Sequence, residues 1–188
     1  AEVEDKLERI GSLEGEREVV ARAVAASEAE LTRVGEELSA LRQEAATRLT
    51  AAANRSLSEL AMKGAALDFE FTRGAPGDGG LDKIALRFQS HPSEAWGSLG
   101  RVASGGELSR VLLALVGAGG RRRRSVAWVF DEIDSGIGGE TAAHVAEHLA
   151  RLAERAQVLL VTHLPVIAAR AERQIRVRNL EAAGRPRA

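Results

Sequence analysis

Cysteine and tyrosine are absent from this 188-residue chain, and lysine occurs only at Lys6, Lys63 and Lys83. Without cysteine there is no disulfide framework and no thiolate metal site. No apolar run approaches the roughly 20 residues that span a bilayer, and the first twenty residues are too charged for a secretory leader. A cytoplasmic protein with no membrane association is expected. The net charge of −1 gives no global attraction to a polyanion, so any nucleic-acid contact must come from a local patch.

Proline and aromatic residues are missing from residues 1–62, a stretch rich in Ala, Glu, Arg and Leu. All four Phe, both Trp, all four Pro and all four His follow it. This shift predicts two regions: a helical segment over 1–62 and a globular domain over 63–188. With heptad position a at Val3, positions a and d are apolar at ten of fourteen sites from Val3 to Arg48, best from Leu31 to Ala45. A narrow apolar seam with charged flanks reads as coiled coil rather than as one helix of a short bundle. A helix of this length is about 90 Å long at 1.5 Å per residue, and the chain holds no second segment to pair with it. Gly11, Gly15 and Gly35 each weaken it by about 1 kcal/mol relative to Ala, and a break is expected near Gly11–Gly15.

In the second region, alternation over Leu67–Thr72 and Ile84–Phe88 around the turn-rich 74–80 predicts a β-hairpin. Residues 106–117 read as a helix with Leu108, Val111, Leu112, Leu115 and Val116 on one apolar face. Val126–Phe130 is almost wholly apolar, like a buried parallel strand. A helix over 139–154, a strand over 157–161, a short helix from Pro165 and a strand over 174–178 follow. Strand and helix alternating after residue 104 predict an α/β layer with parallel strands. Ligands of such sheets lie at the C-terminal strand ends, where Asp131-Glu132 and Thr162-His163 both fall.

Ser104-Gly105-Gly106-Glu107 begins a helix. Glycines there allow close approach, and exposed N–H groups at the positive end of the helix dipole suit a phosphate. The same residues also fit a capping box, S-x-x-E, and both readings stand together. Asp131 can hold Mg²⁺ through water, while Glu132 can orient and deprotonate an attacking water. His163, after an apolar strand, can hydrogen-bond a terminal phosphate. Asp134 lies in a tight loop that could reach across a subunit interface. His144 and His148 have metal-binding spacing but no evident third ligand, and read as surface or partner-facing residues. Arg121, Arg122, Arg123 and Arg124 suit either DNA phosphates or a solvated turn. No G-x-x-x-x-G-K-[ST] phosphate loop occurs anywhere in the chain.

Val102–Arg110 resembles the signature motif of the RecN family, the bacterial SMC-like double-strand-break repair ATPases with ATP-binding-cassette (ABC) heads. Phe130–Gly136 looks like that family's Walker B and D-loop, and Thr162–Ala169 is similar to its His-switch segment; the likeness covers roughly residues 40–178. The resemblance implies a fold: the C-terminal lobe of an ABC-type head, preceded by a β-hairpin and one helix of an antiparallel coiled coil. It implies ATP and Mg²⁺ as cofactors, Asp131 on the metal, Glu132 as catalytic base and His163 on the γ-phosphate. Ser104, Gly105, Gly106 and Glu107 would contact a nucleotide held by the opposite head, and Asp134 would link the two sites. The implied partners are the Walker A-containing N-terminal half-head, a second head in a homodimer, and double-stranded DNA, with a nucleoid-associated location. Gly138, where Ser is common, and residues 179–188 depart from the family pattern. A non-hydrolysing coiled-coil scaffold and the ATPase lobe of another ABC system are the competing readings.

Overall fold

A computed structural model describes residues 2–119, 127–177, 180–182 and 185–187. Arg121–Arg124 therefore lie outside the described residues. The chain divides into two compact units, residues 1–47 with 69–85, and residues 48–68 with 86–188.

Helix α1 runs unbroken from Glu2 to Glu59, so the break expected near Gly11–Gly15 does not occur. Two isolated glycines cost about 2 kcal/mol between them, too little to interrupt a helix propagating through Ala- and Glu-rich sequence without proline. In the first unit, residues 2–47 of α1 meet the outer part of a hairpin formed by β1 (Ala66–Gly77) and β2 (Gly80–Gln89). Both strands extend into the stretch read from sequence as loop. Only Asp78 and Gly79 form the turn, and Gly80 closes it at φ +89°. Leu81, 3% exposed, packs so closely on Gly35 that a Cβ there would lie 2.5 Å from its Cγ. Ser39 donates to the Asp82 carboxylate at 2.5 Å, Arg42 donates to the Gly79 carbonyl at 2.7 Å, and Arg73 pairs with Glu36. The heptad stripe faces outward instead: Val20, Val24, Leu31, Val34 and Leu41 are all exposed.

In the second unit the last turns of α1 bury Ala53, Leu57 and Leu60. The helix ends with Ala61 in the left-handed region (φ 62°) and the Met62 N–H returning to the Leu57 carbonyl, a closure that satisfies a terminal carbonyl. The short strand β3 (Gly97–Ser98) pairs antiparallel with β2, and α2 (Leu99–Val102) follows. Then come α3 (Gly105–Ala118), β4 (Ala127–Phe130), α4 (Gly139–Ala153), β5 (Gln157–Leu160) and α5 (Pro165–Ala168). Strands β4 and β5 pair in parallel, Ala127 opposite Gln157 and Phe130 opposite Leu160. The mixed α/β class with a parallel sheet, hairpin and long helix is therefore as the sequence predicts.

Two details of the expected packing change. In α3, Leu108 and Leu112 are 42% and 37% exposed, while Arg110 is buried beside Val111, Leu113 and Ala114. The strand over 174–178 is absent for its described residues 174–177; Ile175 and Val177 are exposed, and no strand among the described residues offers them a ladder. Instead β6 (Leu180–Ala182) and β7 (Arg185–Arg187) form a separate antiparallel pair.

The contact of Gly35 with Leu81 predicts opposite outcomes for two glycines of one helix. Gly15, with open space around its Cα, should give about 1 kcal/mol of added stability as Gly15→Ala. Gly35→Ala should forfeit that gain and lower the midpoint of thermal unfolding, because the whole Leu81 side chain must move. Circular dichroism melts of the two variants compare them directly.

Candidate functional site

The site is built around the loop that follows β4. Because β4 and β5 run in parallel with their ends in register, Asp131-Glu132 and Thr162-His163 emerge at the same C-terminal edge of the sheet. The Val161 N–H to Phe130 carbonyl bond, 3.1 Å, carries the pairing one residue beyond β5.

Three interactions hold the loop. From α3, the Ser109 hydroxyl donates to the Asp131 carbonyl (2.7 Å), and Arg110 Nη1 donates to the carbonyls of Ile133 (3.3 Å) and Ser135 (2.9 Å). Burial pushes the Arg110 guanidinium below its ordinary pKa, against the opposing pull of the Glu107 charge. Its Nε has no hydrogen-bond partner among the described residues. Within the loop, the Glu132 N–H donates to Asp131 Oδ1 (3.0 Å) and the Ser135 N–H to the Glu132 carbonyl (2.9 Å).

The third interaction is Asp134, which the sequence places in a loop free to reach outward. Its carboxylate instead points inward and is 6% exposed. Oδ2 accepts from the Thr162 hydroxyl (2.5 Å) and the His163 backbone N–H (2.9 Å), and lies 3.0 Å from His163 Nδ1. Burial pushes this carboxyl upward, but the Thr162 and His163 hydrogen bonds and the charge of the His163 ring outweigh it and hold it below its ordinary value. The His163 ring itself is 74% exposed.

Glu132 sits at φ 56°. A non-glycine residue in this region costs on the order of 1 kcal/mol and is frequently retained at functional sites. Its carboxylate lies against the first turn of α3: a Cβ on Gly105 would be 2.5 Å from Glu132 Oε2, and one on Gly106 would be 3.0 Å from the Glu132 carbonyl oxygen and from Ser135 Cβ. The two glycines thus permit a close intramolecular approach, a reason that the sequence does not display. Ser104 caps α3 in a complete capping box: the Glu107 N–H donates to Ser104 Oγ (3.4 Å), and the Ser104 N–H donates to Glu107 Oε2 (2.8 Å). The cap uses the hydroxyl as an acceptor only, leaving its proton available to a ligand. Asp131 is exposed, with Oδ1 on the Glu132 N–H and its second oxygen turned from that bond, a donor suited to a hard cation through water.

The remaining histidines take other parts. His148, read from sequence as a surface or partner-facing residue, has a side chain 9% exposed, with Nε2 2.7 Å from the Glu59 carboxylate at the end of α1. The hydrogen bond from His148, followed by the charges of His148, Arg151 and His144, holds the Glu59 pKa down against its partial burial. Among the described residues no cluster of three His, Cys, Asp or Glu could hold a metal, and no helix is long and apolar enough to cross a membrane.

No protein-family model matches the chain. Individual proteins do. The DNA repair protein RecN of Deinococcus radiodurans is 46% identical over 163 residues, covering 86% of this chain and 28% of that protein. RecN of Rickettsia bellii is 34% identical over 184 residues, covering 95% of this chain and 33% of its own length. The chain belongs to the RecN family. It spans 28% to 33% of the length of these relatives. Its fold is similar to the Smc head domain with an extended coiled coil from Pyrococcus furiosus, solved bound to the C-terminal domain of ScpA: TM-score 0.53, 17% identity, over 74% of this chain and 34% of that one. The Smc head with coiled coil and joint from Pyrococcus yayanosii gives the same TM-score and identity over 74% of this chain and 26% of its own. The RecN-family segment has the fold of the C-terminal part of an SMC-type head.

The Asp134 contacts imply a measurable acid sensitivity. A carboxyl held below its ordinary value in the folded state contributes stability that is complete above 3.8 and is lost as the pH falls through the lower folded value. Asp134→Asn should therefore cost about 1–2 kcal/mol at pH 7 and flatten the acid limb of stability. Urea unfolding of both proteins from neutral to strongly acidic pH measures each effect.

Proposed function

We propose that this chain is the C-terminal lobe of an ATP-hydrolysing head, with residues 1–62 forming one strand of a coiled coil and residues 63–188 the lobe itself, in a machine that repairs double-strand breaks in bacterial DNA. The observation that carries this reading is the convergence of Asp131-Glu132 and Thr162-His163 at one edge of a parallel sheet, joined there by Asp134. Glu132 would act as general base toward the attacking water, and His163 would contact the terminal phosphate. Mg²⁺, when bound, neutralises charge on the phosphates, and Asp131 would hold its water shell. The free proton of the Ser104 hydroxyl and the first turn of α3 would meet a nucleotide on the opposite head.

The chain itself has no phosphate loop, so the nucleotide's own cradle must come from elsewhere. Two features support a complementary N-terminal half-head. Among the described residues the parallel sheet has two strands, and Val129, Leu159 and Val161 are exposed on or beside it, whereas parallel strands are ordinarily covered on both faces. The outward heptad stripe of α1 likewise suits a partner helix. Double-stranded DNA as partner rests on the relatives' role in DNA repair, and the residues that the sequence offers for it, Arg121–Arg124, are outside the described set.

Reconstitution tests the reading. The chain alone should show no ATP hydrolysis. Mixed with a Walker A-bearing half-head it should gain turnover that double-stranded DNA stimulates, and Glu132→Gln should reduce that turnover about 100-fold or more. Glu132-dependent hydrolysis by the isolated chain, or a mixture that stays inactive, would overturn it; stimulation absent with DNA would favour another ABC system.

A further inference from the structure

Arg110 is buried on α3 beside Val111, Leu113 and Ala114, where packing alone would be served by an apolar side chain. Its Nη1 donates both hydrogens to neutral carbonyls, those of Ile133 (3.3 Å) and Ser135 (2.9 Å). Ser109, the residue before it, donates to the Asp131 carbonyl (2.7 Å). These acceptors bracket Glu132. The Asp131 carbonyl belongs to the peptide plane that enters Glu132. The plane that leaves it is held by the Ser135 N–H on the Glu132 carbonyl (2.9 Å), and Ser135 is itself held by Arg110. Both planes that define the Glu132 conformation are therefore tied to α3. That conformation is left-handed, φ 56°, and persists in a residue with a side chain only where the surroundings impose it. The bond from the Glu132 N–H to Asp131 Oδ1 lies within the loop and travels with it, while the Asp134 bonds to the Thr162 hydroxyl and the His163 N–H anchor the loop further on.

We propose that Ser109 and Arg110 are positioning residues for Glu132: through the loop carbonyls they hold it in the left-handed conformation that lays its carboxylate against Gly105, and they thereby place the general base, a role of Glu132 that rests on the reading given above. Return of φ to negative values would turn the Glu132 Cβ, and the carboxylate with it, away from Gly105. Gly106 belongs to the same arrangement, since a Cβ there would lie 3.2 Å from Arg110 Nη1 as well as 3.0 Å from the Glu132 carbonyl oxygen. A general base works only within hydrogen-bond reach of its water, about 3 Å, and a misplacement of about 1 Å can cost on the order of 100-fold in rate. Ser109 and Arg110 lie beyond the first turn of α3 and act through the backbone, so their loss should lower kcat and leave KM for ATP unchanged.

Two measurements test this. In the chain alone, a strong NOE between the amide and α protons of one residue marks positive φ. Glu132 should show it in the unaltered chain and lose it in Arg110→Met; a positive φ that persists in folded Arg110→Met overturns the proposal without reference to any activity. In the reconstituted head, Arg110→Met should lower kcat about tenfold or more at unchanged KM. Ser109→Ala, a milder change that keeps the proposal testable if Arg110→Met does not fold, should lower kcat about threefold to tenfold, the size of one neutral hydrogen bond. Combined with Glu132→Gln, neither substitution should reduce turnover further, because both act through Glu132. Effects that multiply with Glu132→Gln, a raised KM at constant kcat, or full turnover in Ser109→Ala would each overturn the proposal. A head indifferent to Glu132→Gln but with the NOE lost in Arg110→Met would sink the role of Glu132 as base and leave its positioning by α3 standing.

Discussion

The first turn of α3 and the loop after β4 must touch with no side chain between them, and the other features of the site follow from that contact. Gly105 and Gly106 make it possible, since a Cβ at either would collide with Glu132 or press on Ser135. Arg110, 6% exposed, secures it from one turn further along by donating to two loop carbonyls. A buried cation held by carbonyls is a costly choice, because desolvation opposes it and its Nε finds no partner among the described residues. The benefit is directional: the planar guanidinium fixes the path of residues 133–135, and with it the left-handed Glu132 on one side and the inward Asp134 on the other.

Burial across the sheet is one-sided where the sequence suggests two sides. Val126–Phe130 reads as a buried parallel strand and 157–161 as its parallel neighbour, yet Val129 and Val161 are each 67% exposed, while Phe130 is 1% exposed. The apolar pattern is not misread. Under the proposed reading it records a second layer supplied from outside this chain, as the outward stripe of α1 records a partner helix. Leu108 and Leu112 on α3 extend the same theme, being apolar, one turn apart and exposed.

What could be read from the sequence depended on whether the signal was periodic. The helical faces of α4 and the parallel strands were legible because burial repeats: Ala142, Val145, Ala146, Leu149 and Leu152 follow the helical period. So was the grouping of acids and histidine at strand ends, since sheet chemistry puts ligands there. The role of Gly35 was not legible, because its reason is Leu81, 46 positions away. The inward turn of Asp134 and the burial of Arg110 were hidden for the same reason: a charged residue in a loop or on a helix looks solvated until its distant partners are known. Residues 174–177 of the expected strand failed on the opposite ground, since alternation was present but no neighbouring strand is found among the described residues.

Under the proposed reading, one lobe serves two nucleotides at once, and the α3 contact becomes the physical link between them. Ser104 would face a phosphate held by the other head, whereas Glu132 and His163 would face the phosphate of their own. The two faces are separated by no more than the glycine approach, since Glu132 Oε2 lies against Gly105 itself. A shift of α3 on engaging an opposite nucleotide would therefore act on the loop through Ser109 and Arg110, whose bonds end at Asp131, Ile133 and Ser135, and from there on Asp134 and the His163 ring. Each step is a short hydrogen bond or a direct contact between named atoms, so no rearrangement of the hydrophobic core is required to carry it.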